Sequence, residues 1–148
     1  MPEPDRTPVL AGGCQCGAIR YCLYSQPIGT ICHCRMCQKA VGGPFAAFAA
    51  LPRGDLAWTH GRPATFRSSS LAERGFCAVC GTPLTYDGVG SANIDITICS
   101  LDTPEAVSPQ DQYGAEGTLP WFASLATLPA RDTEAKYAGL ASYQHPDP

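Results

Sequence analysis

The sequence predicts a mostly β fold of short strands with one or two short helices, and three observations carry that prediction. Of the 148 residues, 15 are glycine and 14 are proline, a content that favours frequent turns over long helices. Several stretches alternate apolar and polar side chains with period two, most cleanly from Asn93 to Cys99, where Ile94, Ile96 and Ile98 share one face. Seven of the 9 cysteines gather in three tight clusters, Cys14/Cys16, Cys32/Cys34/Cys37 and Cys77/Cys80, which is the pattern of a zinc protein.

Residues 1–11 are polar and proline-rich and are expected to form a flexible N-terminus. Ile19, Tyr21 and Leu23 alternate with Arg20, Cys22 and Tyr24, as in a half-buried strand. A short helix is expected over Arg35–Val41, ended by Gly42-Gly43. Pro44 to Leu51 is a nearly continuous run of small apolar and aromatic residues, which fits a strand buried on both faces. Shorter strands are expected at Leu56–Trp58, Ala64–Arg67 and Leu84–Tyr86, followed by the alternating Asn93–Cys99. Prolines at 104, 109, 120 and 129 make Leu101 to Ala130 read as an irregular strap over the sheets. A second helix is expected from Asp132 to near Gly139, and 141–148 reads as a C-terminal tail. No repeat or linker divides the chain, so 12–140 is expected to be a single zinc-binding β domain.

Composition narrows the function. The formal charge is -3 and no lysine-rich stretch is present, so nucleic acid is not an expected partner. No apolar run approaches membrane-spanning length, so no membrane partner is expected. Met1-Pro2-Glu3-Pro4-Asp5-Arg6 lacks a basic region followed by an apolar core, so no secretory signal is expected. An odd number of cysteines without such a signal points to the reducing cytoplasm and to metal binding rather than disulfides.

The clusters divide unequally. Cys16 and Cys80 are each followed by glycine, as in zinc knuckles, where the chain doubles back after the second cysteine with positive φ. Cys14, Cys16, Cys77 and Cys80 are therefore assigned to one closed structural site. Cys32, Cys34 and Cys37 lack the glycine and lie at the start of the short helix. Three thiolates with an exchangeable fourth position form the arrangement of a catalytic zinc. The alternative is a second cluster that is also structural, with His33, Cys99 or a distant group as its fourth ligand. Arg35 and Lys39, at i, i+4 spacing beside the cluster, are candidate contacts for an anionic substrate or else a solvated face. Cys22 is assigned to strand packing, His60 to an exposed turn, and Trp121 and Phe122 either to capping a cavity or to the core.

These residues also carry a resemblance. Gly13-Cys14-Gln15-Cys16-Gly17, then Cys32-His33-Cys34-Arg35-Met36-Cys37 with Gly42-Gly43-Pro44-Phe45, then Gly75-Phe76-Cys77-Ala78-Val79-Cys80-Gly81-Thr82-Pro83-Leu84, and Ser100-Leu101-Asp102 resemble the glutathione-dependent formaldehyde-activating enzyme family, which also contains the domain of centromere protein V. The resemblance implies a tent-like fold of antiparallel sheets. It implies a structural zinc on Cys14, Cys16, Cys77 and Cys80 and a second, labile zinc on Cys32, Cys34 and Cys37. It further implies glutathione as the small-molecule thiol partner and a carbon–sulfur lyase-type activity, with S-hydroxymethylglutathione as the product of joining formaldehyde to glutathione.

The sequence reading is accordingly a cytoplasmic zinc enzyme acting on a glutathione-type thiol adduct or a related small carbonyl compound. Cys32, Cys34 and Cys37 form its reaction centre. One alternative is a non-catalytic zinc-stapled module that binds a protein partner. Another is a thiol redox enzyme with Cys99 as the attacking thiol.

Overall fold

Period-two alternation sorts the chain's apolar side chains onto sheet faces, and the result is two sheets sharing one core. The computed structural model describes residues 5–146, so residues 1–4 of the N-terminal segment and 147–148 of the tail lie outside the described residues. In chain order the strands are β1 Leu10–Gly13, β2 Arg20–Leu23, β3 Ile28–Cys32, β4 Ala46–Pro52, β5 Leu56–His60, β6 Ala64–Arg67, β7 Ala72–Phe76, β8 Pro83–Gly88, β9 Asn93–Thr97 and β10 Pro109–Tyr113. Helix α1 spans Arg35–Val41 and α2 spans Thr133–Lys136. The smaller sheet has the order β1-β2-β5 and the larger one β10-β3-β4-β9-β8-β7-β6. All pairings are antiparallel except β10 with β3, which is parallel.

The core forms where the sheets face each other. Tyr21 and Leu23 from β2 meet Ala49, Leu51, Leu84, Ile94 and Ile96 from the larger sheet, all at most 6% exposed. Each large aliphatic side chain buried there contributes about 1.5–3 kcal/mol. The opposite face of the larger sheet is covered too: Ala46 and Phe48 pack with Cys37 of α1 and against Tyr86. This explains the unbroken apolar run of β4, whose alternate residues serve the core and the α1 side.

Helix α1 has the predicted bounds. Gly42, at φ 67°, closes it and donates its N–H to the Gln38 carbonyl. Helix α2 is shorter than expected, with Asp132 as its N-cap accepting from the Ala135 N–H. The strap is partly regular. It contains β10 and several 3-10 turns, including Ala115–Gly117 and Phe122–Thr127. Strands β1, β3, β7 and β10 have no counterpart among the strands expected from the sequence.

Ser100-Leu101-Asp102 latches the sheets together. The Tyr21 hydroxyl and Ser100 Oγ lie 2.7 Å apart, fully out of solvent. Leu101 forms a bridge with Gly12, and the Asp102 N–H donates to the Ala11 carbonyl. Asp102 also accepts two hydrogen bonds from the Arg20 guanidinium, at 2.8 and 2.5 Å. Tyr21→Phe removes the buried hydroxyl bond while Ser100 keeps its bond to the Thr97 carbonyl. Denaturant unfolding is expected to show a loss of about 1 kcal/mol, and an unchanged midpoint and slope would remove the latch from the account of sheet docking.

Candidate metal centres

The four-cysteine centre joins two turns from different sheets. Cys14 and Cys16 lie in the β1–β2 turn of the smaller sheet, and Cys77 and Cys80 in the β7–β8 turn of the larger. Their four sulfur atoms lie within 4.8 Å of one another. Gly17 and Gly81, each at φ 80°, take the left-handed conformation expected after the second cysteine of each pair. Backbone N–H groups point at sulfur, from Ile19 to Cys14 at 3.3 Å and from Val79 to Cys77 at 3.4 Å. Burial works against the Cys80 thiolate, but the hydroxyl and backbone of Thr82 outweigh it and bring the thiol down to about 6. Cys16 moves the other way: the backbone at Ala18 favours its thiolate, yet burial and the sulfurs of Cys14, Cys80 and Cys77 push it up to about 12. Sulfurs this close resist holding more than one charge, and a divalent cation at their centre would remove that resistance.

The three-cysteine centre lies at the end of β3 and the start of α1. The Sγ atoms of Cys32, Cys34 and Cys37 also lie within 4.8 Å of one another. Cys34 is the N-cap of α1, and its sulfur accepts the Cys37 N–H at 3.4 Å. Burial opposes its thiolate, but that N–H, the neighbouring sulfurs and the Met36 N–H hold the Cys34 thiol below the ordinary range. Burial pushes Cys37 up to about 12, with Arg74 acting against the rise. Neither His33 nor Cys99 joins this cluster among the described residues. His33 is fully buried and points elsewhere: its Nε2 lies 3.0 Å from Gln112 Oε1, and its ring packs edge-on against Phe122. Cys99 is exposed, Cys22 sits in β2, and His60 is exposed at the end of β5. Phe122 thus packs behind the cluster, while Trp121 is 49% exposed.

A cavity of about 500 Å³ opens beside the three sulfurs. Its floor is the sheet face opposite the core, with Phe48 and Ala50 of β4, Tyr86 of β8 and Asp95 of β9. Met36, Ile28 and Tyr113 add apolar wall. Arg74 of β7 brings a cation to the sulfurs: its Nη2 donates to Cys37 Sγ at 3.4 Å, its Nε donates to Ser68 Oγ at 3.1 Å, and its guanidinium lies over the Tyr86 ring. Arg35 and Lys39 are exposed and line an adjoining hollow with Met36, Phe66, Ser68 and Arg74.

The sequence matches the family model described as glutathione-dependent formaldehyde-activating enzyme over residues 9–115. The chain belongs to this family. The matched span takes in both metal centres, the cavity floor and β10. An uncharacterized lyase of Schizosaccharomyces pombe is 28% identical over 115 residues, covering 66% of this chain and 83% of its own length. A crystal structure of a Rhodobacter sphaeroides protein shares the fold, with a TM-score of 0.55 at 20% identity over 70% of this chain and 99% of that one.

Within this chain's seven clustered cysteines, the two centres carry different structural burdens. The four-cysteine centre spans two sheets, so metal bound there is folding free energy on the order of 10 kcal/mol. The three-cysteine centre lies between consecutive elements, β3 and α1, with β4 already paired to β3. Cys14→Ser or Cys80→Ser should therefore prevent soluble folding. Cys34→Ser should leave the circular dichroism spectrum intact, with melting temperature lowered by only a few degrees. Equal loss of folding from both substitutions would show that the second centre is structural as well.

Proposed function

We propose that the chain is a zinc-dependent lyase-type enzyme that makes and breaks the carbon–sulfur bond between a glutathione-type thiol and a small carbonyl compound, with Cys32, Cys34 and Cys37 as its reaction centre. One observation carries the reading: three thiols and the Arg74 guanidinium converge at the mouth of a cavity large enough for a small organic molecule. Both donor sets suit zinc, since sulfur ligands in sets of four and three match closed and open tetrahedral coordination. Cys14, Cys16, Cys77 and Cys80 hold the structural ion, and Cys32, Cys34 and Cys37 the labile one. Zinc supplies a lowered thiol pKa and polarisation of a carbonyl oxygen. A cytoplasmic, reducing setting keeps these thiols available.

In the forward direction the substrate sulfur gives up its proton and attacks the carbonyl carbon. A C–S bond forms, the C=O π pair moves to oxygen, and that oxygen takes up a proton, so no oxidant or reductant is consumed. The reverse reaction breaks the same C–S bond. The protein's own contribution is placement and charge. Arg74 sets a positive charge where the oxygen becomes negative. The apolar walls limit water around the reacting atoms. Arg35 and Lys39, in the adjoining hollow, take a carboxylate of a tripeptide that extends out of the cavity.

Two experiments test the reading. Exchange between formaldehyde, glutathione and their adduct should be faster with the zinc-loaded protein than with the same concentration of the Cys34→Ser variant. The reaction proceeds without catalyst, so the rate at equilibrium is the informative quantity. Glutathione binding without any acceleration would favour the binding-module alternative. Separately, Arg35→Ala should weaken glutathione binding by roughly 1–3 kcal/mol with little change in melting temperature, as fits an exposed cation that holds a ligand. Unchanged affinity would return Arg35 and Lys39 to a solvated helix face.

A further inference from the structure

One row of side chains crosses the cavity floor, and one member of it lacks a partner. Strand register places Arg74 opposite Tyr86, Tyr86 opposite Asp95, Asp95 opposite Ala50 and Ala50 opposite Ile28. Residues in register share a sheet face, with neighbouring strands about 4.8 Å apart, and all five line the cavity. The row therefore runs from a cation through an aromatic ring to a carboxylate, and then to two apolar residues.

The cation does not serve the carboxylate. Arg74 is engaged with Cys37, Ser68 and the Tyr86 ring. Other carboxylates nearby are satisfied: Asp87 accepts two hydrogen bonds from Arg53, and Asp111 accepts from the Thr30 hydroxyl. Asp95 is half-buried, and its carboxylate has no hydrogen bond or ion pair among the described residues. Burial, reinforced by the charge on Asp87, raises its carboxyl above the usual range. A carboxylate held this way beside an apolar wall is costly in the empty cavity, and a ligand that brings positive charge and N–H donors offsets that cost. A metal ion would need several more oxygen ligands than Asp95 alone provides.

The geometry points to Asp95 as the residue that receives the free α-ammonium of the thiol substrate, so that the cavity selects aminothiols such as glutathione over thiols whose amine is blocked. The inference rests on the thiol reading above and adds an orientation to it: sulfur at Cys32, Cys34 and Cys37, ammonium on the sheet floor. The neighbouring Ala50 leaves room above the carboxylate, and Tyr86 offers an aromatic side to the cation.

The test compares glutathione with N-acetylglutathione, in which the same thiol and carboxylates remain and only the ammonium is lost. Isothermal titration of the zinc-loaded protein should give binding tighter for glutathione by about tenfold or more, the scale of one charge-assisted hydrogen bond. Asp95→Asn should reduce that preference to less than about threefold, and its melting temperature at neutral pH should not fall, because an uncompensated charge has been removed. Equal affinity of the wild type for both thiols overturns the ammonium assignment and leaves the thiol reading standing. A preference that survives Asp95→Asn also overturns it. Failure of glutathione itself to bind the wild type overturns both.

Discussion

The contact on which the architecture depends is the meeting of four sulfur atoms from two turns, one in each sheet. Sixty-one residues separate Cys16 from Cys77, yet their sulfurs lie 3.8 Å apart. Thiols brought this close without a cation repel as soon as more than one ionises. With a cation they become the strongest link between the sheets. The Tyr21–Ser100 and Arg20–Asp102 contacts lie on the same junction and align the sheets once they are joined. The core behind them is small, and its Tyr21, Leu51, Leu84 and Ile96 close only when both sheets are in place.

The two centres use one kind of ligand for two ends. The difference lies in what each connects. The first ties segments far apart in sequence. The second is assembled from one strand end and one helix start, with α1 anchored by Gln38 to the Pro44 and Gly117 carbonyls. Its sulfurs lie between consecutive elements, so a change of their partners would not pull the sheets apart, which suits the proposed reaction centre. His33, buried and lying in sequence between Cys32 and Cys34, reaches away from their sulfurs to Gln112 of β10.

Much of this was legible in the sequence because cysteine spacing and glycine placement are local signals. The cluster partition, the bounds of α1 and the two-faced burial of β4 all follow from residues near one another in the chain. The elements that escaped notice lack such signals. Strand β10, Pro109-Gln110-Asp111-Gln112-Tyr113, is exposed along its whole length and is a strand because β3 offers it a partner. Strand β7, Ala72-Glu73-Arg74-Gly75-Phe76, carries polar groups because one of its faces borders the cavity. Arg74 was missed for the same reason: it sits 37 residues from Cys37, and no periodicity predicts that contact. Arg35 and Lys39 are near the cluster in sequence, but the helix turns them toward the adjoining hollow.

The row from Arg74 to Ile28 has a consequence for how this scaffold can diversify. On β4 and β9 its residues alternate with Ala49, Leu51, Ile94 and Ile96, which fill the core, so a substitution at Ala50 or Asp95 leaves the packing behind it untouched. The sulfur ligands stand at the ends of these strands and not within them. Exchanging Ala50 or Ile28 for larger or polar residues would therefore reshape the cavity while the clustered cysteines and the core stay as they are.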